Sequence, residues 1–501
     1  MRRFCAYFPV LLLLCVLQAS AQDLASFEKR VHVRTLPNGL TVLLLQRPEA
    51  PVFSFFTIVD AGDAQDPLGK TGLAHMMEHM AFKGTDTIGT TDYPAEKLAL
   101  AKVEDTYAAY DRENSRRVGR DDKKIAELKD AWEKARAEAD KYVVQNEFGE
   151  LVERNGGVGM NASTGDDSTQ YFYSLPANRL ELWAYLESER FLHPVMREFY
   201  KERDVVMEER RMRTDSSPTG RLVEQFLSVA FDGSPYHRPS IGYASDLKHF
   251  SATDAEAFFK AHYVPSNMVV AVVGDLDPDK TFPVIERYFG RIPSGRKPEE
   301  YVTAQTPQTA ERTVTLYDPS QPFYLEGYQK PDYRDKDDAV FHVISSVMSV
   351  GRTSRLYRSL VRDQKIAVSA AGFTGFPGDK LRNLYAFYAV PAKGHTAKDM
   401  AAAIHEQIEK LKTEGVSDDE LKMVKTRSKA ALLRSLANNQ GLAINLAESQ
   451  LKYGDWRELF RQIEKIDAVT NDDVKRVATA TFVESNRTVG VIETKSAKGA
   501  K

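Results

Sequence analysis

Two stretches 219 residues apart carry one pattern. "YVPSNMVVAVVGD" (residues 263–275) and "FVESNRTVGVIET" (482–494) align on Asn267 and Asn486. Each is an aromatic residue, a short polar turn and an apolar, β-branched run. Each follows an amphipathic helical pattern, "DAEAFFKAH" in one case and "DDVKRVATA" in the other. A helix, turn and strand recurring in this order argue for two copies of one α/β unit. Between them, "RIPSGRKPEEYVTAQTPQTAER" (291–312) is polar and proline-bearing, as a linker should be. The expected organisation is a first domain over 29–292, a linker over 293–309 and a second domain over 310–496. A chain of 501 residues suits that division.

The N-terminus, "MRRFCAYFPVLLLLCVLQASAQDL", reads as a signal peptide over 1–21. Arg2 and Arg3 open it, an apolar run from Phe8 to Leu17 follows, and Ala19-Ser20-Ala21 supplies small residues for cleavage. The run is too short to cross a bilayer, and no later stretch is long and apolar enough. The expected mature protein begins near Gln22, is exported to the periplasm or secreted, and has no integral membrane segment. Both cysteines, Cys5 and Cys15, fall in the removed segment. The mature chain then has no thiol chemistry and no disulfide, and any metal site must use histidine and carboxylate. Removal also takes the formal charge from −3 to −5, which argues against nucleic acid as a partner.

"GLAHMMEHMAFKGT" (72–85) holds two of the ten histidines, four residues apart, with a glutamate directly before the second. At about 100° per residue, Glu78 and His79 fall within about 60° of His75, while Leu73, Met76, Met77 and Met80 lie about 100–200° away. The segment is therefore an amphipathic helix with a Met/Leu core face and a His/Glu/His face. Lys83-Gly84 reads as its C-terminal end. Imidazoles at i and i+4 can meet one tetrahedral zinc ion. Such an ion lowers the pKa of bound water from ~16 to roughly 7, and the adjacent Glu78 can take the proton as general base. That is the chemistry of metal-assisted hydrolysis.

A third ligand is needed. "REFYKERDVVMEERRMRTD" (197–215) has a helical pattern that puts Glu202, Val205, Val206 and Glu209 on one face, with Asp204 and Glu208 turned to solvent. Glu202 and Glu209 stand about 10 Å apart along the axis. Carboxylates on an apolar face are costly unless paired or metal-bound. One of the two can be a ligand and the other can orient a histidine or assist proton transfer.

The "HMMEH" and "ERDVVMEE" motifs together resemble the pitrilysin family, zinc metallopeptidases with an inverted HxxEH motif. The similarity is strongest to two-domain members akin to the mitochondrial processing peptidase β subunit and its bacterial relatives. It covers nearly all of the mature chain. The resemblance implies one Zn2+ per chain held by His75, His79 and Glu209, with Glu78 as the catalytic base and Glu202 as a supporting catalytic carboxylate. It implies an α+β fold of two homologous domains, each an antiparallel-rich sheet with helices packed on one face, and a chamber enclosed by paired units. "GGVGMNASTGDDSTQYFYSLP" (156–176) reads as a hairpin and resembles the family segment whose edge strand holds the substrate backbone, here through Asn161 and Ala162. Strand addition grips any extended peptide through main-chain hydrogen bonds.

The chain departs from the family in two places. The His79-to-Glu209 gap is 130 residues, longer than usual. The excess, at about 99–150, includes "DDKKIAELKDAWEKARAEADKYVV", with Ile125, Leu128, Trp132, Ala135, Ala139 and Tyr142 at 3,4 spacing. It reads as a helical hairpin with a narrow apolar seam, and a solvated spacer is the favoured role. In "GRTSRLYRSLVRDQKIAVSAAG" (351–372), Val361 and Val368 stand where complete members carry a substrate-holding Arg and Tyr, and Arg362 is one position out of register. The expectation is a zinc endopeptidase for short or unfolded peptides. It would be the zinc subunit of a heterodimer whose related second chain supplies the Arg/Tyr pair, or else a homodimer. The alternative is a non-catalytic scaffold or binding subunit of the same fold, against which the intact His75, Glu78, His79 and Glu209 count.

Overall fold

The computed structural model describes residues 27–299 and 302–494. The segment read as a signal peptide, 1–21, lies outside the described residues, as do positions 495–496. Among the described residues no helix is long and apolar enough to cross a membrane.

The recurring stretches become the strands β6 (Met268–Gly274) and β11 (Arg487–Thr494), and each lies inside its own sheet. The first sheet also holds β1 (Val31–Thr35), β2 (Thr41–Gln46), β3 (Val52–Val59), β4 (Val158–Thr164) and β5 (Thr169–Pro176), in the order β1-β2-β6-β3-β5-β4. The second holds β7 (Arg312–Asp318), β8 (Phe323–Lys330), β9 (Ala367–Phe376) and β10 (Asn383–Pro391), in the order β7-β11-β8-β10-β9. Among the described residues only β2/β6 and β7/β11 pair in parallel. The repeated asparagines explain why the pattern recurs. The Asn267 amide donates to His262 O at the end of the preceding helix (2.9 Å) and to Asp60 O just past β3 (3.1 Å). The Asn486 amide does the same to Thr481 O and to Gln329 O in β8, both at 2.9 Å. Each clamps a helix C-terminus to a central strand and satisfies carbonyls that would otherwise be orphaned.

Each sheet carries helices of its own half on one face. In the first half the helix α1 (Leu73–Met80) lies there. So does the inserted hairpin, α2 (Tyr93–Asn114) and α3 (Asp122–Ala139), whose N-termini are capped by Asp92 and Asp121. The helix α4 (Phe199–Arg210) completes the site-bearing set and ends in a π-helical turn, Arg211–Asp215.

The opposite faces are covered by an exchange. Helix α5 (Pro218–Ala230) leaves the first half and packs Leu222, Phe226 and Leu227 against Leu325, Leu384 and Ile492 of the second sheet. Gly327 and Gly490 make the room, since a Cβ there would sit 3.0 and 3.1 Å from the Phe226 ring. Helix α6 (Asn439–Tyr453), from the second half, packs Leu442, Leu446 and Ala447 on Leu43, Phe56 and Val273 of the first sheet. Each large apolar side chain so buried contributes about 1.5–3 kcal/mol. The two halves are therefore locked together by core packing rather than by a surface contact.

The hairpin is not a solvated spacer. Ile125, Trp132, Ala135 and Ala139 of its seam are buried. Trp132 and Tyr107 close an aromatic cluster on Tyr200 of α4, at centroid distances of 5.2 and 4.3 Å. Arg203 of α4 donates to the Tyr107 hydroxyl at 2.6 Å. Charge on the outer face of α3 gives the sequence its solvated look, but Trp132 of α3 and Tyr107 of α2, buried against α4, dock the hairpin.

Candidate metal centre

Helix α1 is set by its ends. Gly72 adopts φ +95°, and a side chain there would meet Ile241 O at 2.8 Å. The Asp66 carboxylate accepts from Gly72 N (2.6 Å) and Ala74 N (2.9 Å), which satisfies the first donors of the helix. Leu73, Met76, Met77 and Met80 go into the core. The opposite face carries His75, Glu78 and His79, as the periodicity requires.

On α4 the buried arc is Phe199, Arg203, Val206 and Arg210. Val205 is 47% exposed, so it does not share a buried face with the two glutamates. The arc follows positions i, i+4, i+7 and i+11, and Glu202 and Glu209 lie on its flank, directed at α1. Arginines serve in place of a second valine. Arg210 donates to Glu224 and to Gly242 O, and Arg203 to Phe250 O.

The two helices bring His75, His79 and Glu209 together, with one ligand atom of each within 4.8 Å of the others. Glu209 Oε2 is 3.7 Å from His75 Nε2 and 3.6 Å from His79 Nε2. The imidazole rings are perpendicular, at 89°, with centroids 4.9 Å apart. These separations exceed hydrogen-bond length, so the three atoms gather around a shared space without bonding one another. Burial, with the neighbouring charges of His79 and Arg213, lowers the His75 pKa to about 4 and keeps that ring neutral. Two neutral-capable imidazoles and one carboxylate form a donor set suited to zinc.

His79 is oriented from behind. Its Nδ1 lies 3.3 Å from Glu202 Oε2, which makes Nδ1 the protonated nitrogen and leaves Nε2 for the centre. Burial pulls the His79 pKa down, but the hydrogen bond to Glu202 and the charges of Glu202, Glu209 and Glu78 outweigh it and raise it. Burial raises Glu202, yet hydrogen bonds from His79 and Lys83 bring it down to about 2. Lys83 reaches Glu202 Oε1 at 2.5 Å. Glu78 lies beside the cluster, its pKa raised chiefly by burial, against a hydrogen bond from the Thr164 side chain.

Asn161 and Ala162 lie on β4, the outermost strand of the first sheet, in register with Phe172 and Tyr171 of β5. Thr164 ends the same strand, so the free edge of β4 leads to Glu78. In the second half Val361 is partly buried against the core and Val368 is 61% exposed, while Arg362 pairs with its neighbour Asp363.

Sequence reasoning missed several residues that hold this geometry. Arg197 is buried and donates to Glu96 of α2 at 2.6 and 2.8 Å, and to Lys83 O (2.7 Å), Thr85 O (3.0 Å) and Ile88 O (3.1 Å). It ties the end of α1, the hairpin and the start of α4 into one unit. Arg213 pairs with Glu209 Oε1 at 2.6 Å and leaves Oε2 for the histidines. Its position four residues after Glu209 on a helical pattern was the available signal.

The chain is similar to several known proteins over most of its length. A family model described as "Insulinase (Peptidase family M16)" matches residues 41–108, which include α1. A second, "Peptidase M16 inactive domain", matches residues 249–428. The chain is 27% identical over 486 residues to the zinc protease PqqE of Helicobacter pylori, covering 95% of each. It is 24% identical over 479 residues to a probable mitochondrial-processing peptidase β subunit of Arabidopsis thaliana, covering 92% of this chain and 78% of that one. The crystal structure of a protease from Helicobacter pylori matches with a TM-score of 0.76 at 25% identity, over 93% of this chain and 99% of that one.

Proposed function

The chain belongs to the M16, or pitrilysin, family of peptidases, and from that premise we propose that it is a zinc-dependent endopeptidase for short or unfolded peptides. The observation that carries the reading is the convergence of His75, His79 and Glu209 with Glu78 beside them. His75, His79 and Glu209 would hold the ion. When bound, zinc polarises the scissile carbonyl and makes a water molecule a usable nucleophile near neutral pH. Glu78 takes a proton from the attacking water and returns it to the leaving amine. Its raised pKa brings it closer to the working pH, where a base is most effective. Glu202 holds His79 in one tautomer. The free edge of β4, on which Asn161 and Ala162 lie, would present its outward-facing backbone groups to an extended peptide once the Ala162 N–H gives up the Asn161 Oδ1 to which it donates (2.9 Å), which orders the substrate without reading its side chains.

The experiment is a metal assay on the mature chain, followed by digestion of a quenched peptide with and without chelator. The expected result is about one zinc per chain, cleavage abolished by chelator, and cleavage restored by added zinc. Cleavage that survives complete removal of the metal contradicts the reading. Glu202→Gln removes the charge that fixes His79, so zinc affinity in a competition titration should fall by about 10–100-fold. An unchanged affinity would mean that Glu202 has no part in holding the site.

Val361 and Val368 offer no cation or phenol for a substrate. This supports assembly with a related chain that supplies an Arg/Tyr pair, the alternative being a homodimer. The same digestion, run on gel-filtered fractions, checks it: full-rate cleavage by a monomer would rule out a required partner.

A further inference from the structure

Glu209 has two carboxylate oxygens, and the fold gives them different neighbours. Oε2 stands 3.7 Å from His75 Nε2 and 3.6 Å from His79 Nε2. Oε1 stands 2.6 Å from Nη1 of Arg213. His75 and Arg213 also line one cavity, which places this cation beside the cluster as a whole and not only beside Glu209.

The cation is held in place from its backbone outward. Arg213 follows Glu209 by four residues, a spacing at which helical side chains meet. It lies in the π-helical turn Arg211–Asp215 that ends α4, where Ser216 N donates to Arg211 O (2.8 Å) and Ser217 N to Thr214 O (3.1 Å). The first turn of α5 packs directly on this turn, since a Cβ at Gly220 would lie 2.1 Å from Arg213 O. The neighbouring arginines are engaged elsewhere, Arg210 with Glu224 and Arg211 with Glu208. The Arg213 side chain is 72% exposed and that of Glu209 20%. An ion pair so open to water adds little to stability. What it controls is the oxygen that Glu209 can offer.

A carboxylate can ligate a metal ion through one oxygen or through both. Catalytic zinc sites keep a coordination position for water or substrate, and a second oxygen from Glu209 would compete for it. We propose that Arg213 is a positioning residue of the metal centre, which holds Oε1 so that Glu209 ligates through Oε2 alone and a position stays open for water. The proposal rests on the zinc-peptidase reading above. Without the cation, both oxygens are free to close on the ion, and a positive charge that repels Zn2+ is gone. Metal affinity should then hold or rise while turnover falls, a signature that loss of an ordinary support such as Glu202 does not give.

The test compares Arg213→Met, which removes the charge, with Arg213→Lys, which keeps it, each in the assembly in which the chain purifies. Arg213→Gln, also uncharged, serves if the Met variant fails to fold. In a competition titration the Met variant should bind zinc at least as tightly as the wild type. With Co2+ in place of zinc, visible absorption is strong for four ligands and weak for five. The Met variant should lose most of that intensity and the Lys variant should keep it. On a quenched peptide, kcat of the zinc-loaded Met variant should fall by about 10–100-fold with little change in KM, and Lys should recover most of it. A wild-type cobalt spectrum in both uncharged variants, an undiminished kcat, or a fall of about tenfold or more in zinc affinity, the mark of an ordinary outer partner, overturns the proposal and leaves the peptidase reading standing. A wild-type assembly that takes up no zinc, or cuts no peptide when loaded, overturns both.

Discussion

Glu78→Gln is expected to reduce kcat by about 10²–10⁴-fold while zinc content stays at the wild-type level, because the proposed mechanism gives the residue the proton transfers and not a bond to the ion. Glu78 is one turn after His75 on α1, yet the three ligand atoms that converge are those of His75, His79 and Glu209. The amide is nearly the same size as the carboxylate, so packing and the Thr164 contact survive and only the basicity is lost. KM should change little, since the proposed function has the peptide held by the β4 edge rather than by Glu78. Measured kcat, KM and metal content on one preparation separate the roles. Loss of zinc together with activity would make Glu78 a ligand, and undiminished kcat with zinc retained would remove it as the base.

Glu209→Ala should have the opposite signature, with the metal lost first and activity following. The carboxylate supplies the oxygen that faces both imidazoles, at 3.6 and 3.7 Å. Two histidines alone make a weak site, so the fall in zinc affinity should exceed the about 10–100-fold expected for the outer partner Glu202. The neighbouring Glu208 is exposed and paired with Arg211, so Glu208→Gln provides the register control and should keep its zinc. If Glu208→Gln loses the metal and Glu209→Ala keeps it, the register that turns Glu209 toward α1 is wrong.

Much of this site could be read from the chain because helical period alone fixes it. His75, Glu78 and His79 share a face for the same reason that Met76, Met77 and Met80 share the other. The repeat was legible because Asn267 and Asn486 do one structural job twice. The choice between Glu202 and Glu209 came from resemblance, since both flank the same arc of α4. The period also misread Val205, which is exposed, because it could not say that arginines would fill the buried arc. Likewise α5 and α6 show apolar faces in the sequence, but nothing local says that each belongs to the other half's sheet. Arg197 carries no distinguishing signal in the sequence, and only the fold surrounds it with Glu96 and three carbonyls.

The central claim is that two imidazoles of one helix and a carboxylate of another close on a single divalent ion. Anomalous diffraction at the zinc edge from crystals of the mature protein measures this directly. One strong peak is expected, about 2.0–2.2 Å from His75 Nε2, His79 Nε2 and Glu209 Oε2, with Glu78 outside bonding distance. A peak elsewhere in the chain, or none at these three atoms in zinc-replete crystals, would contradict it.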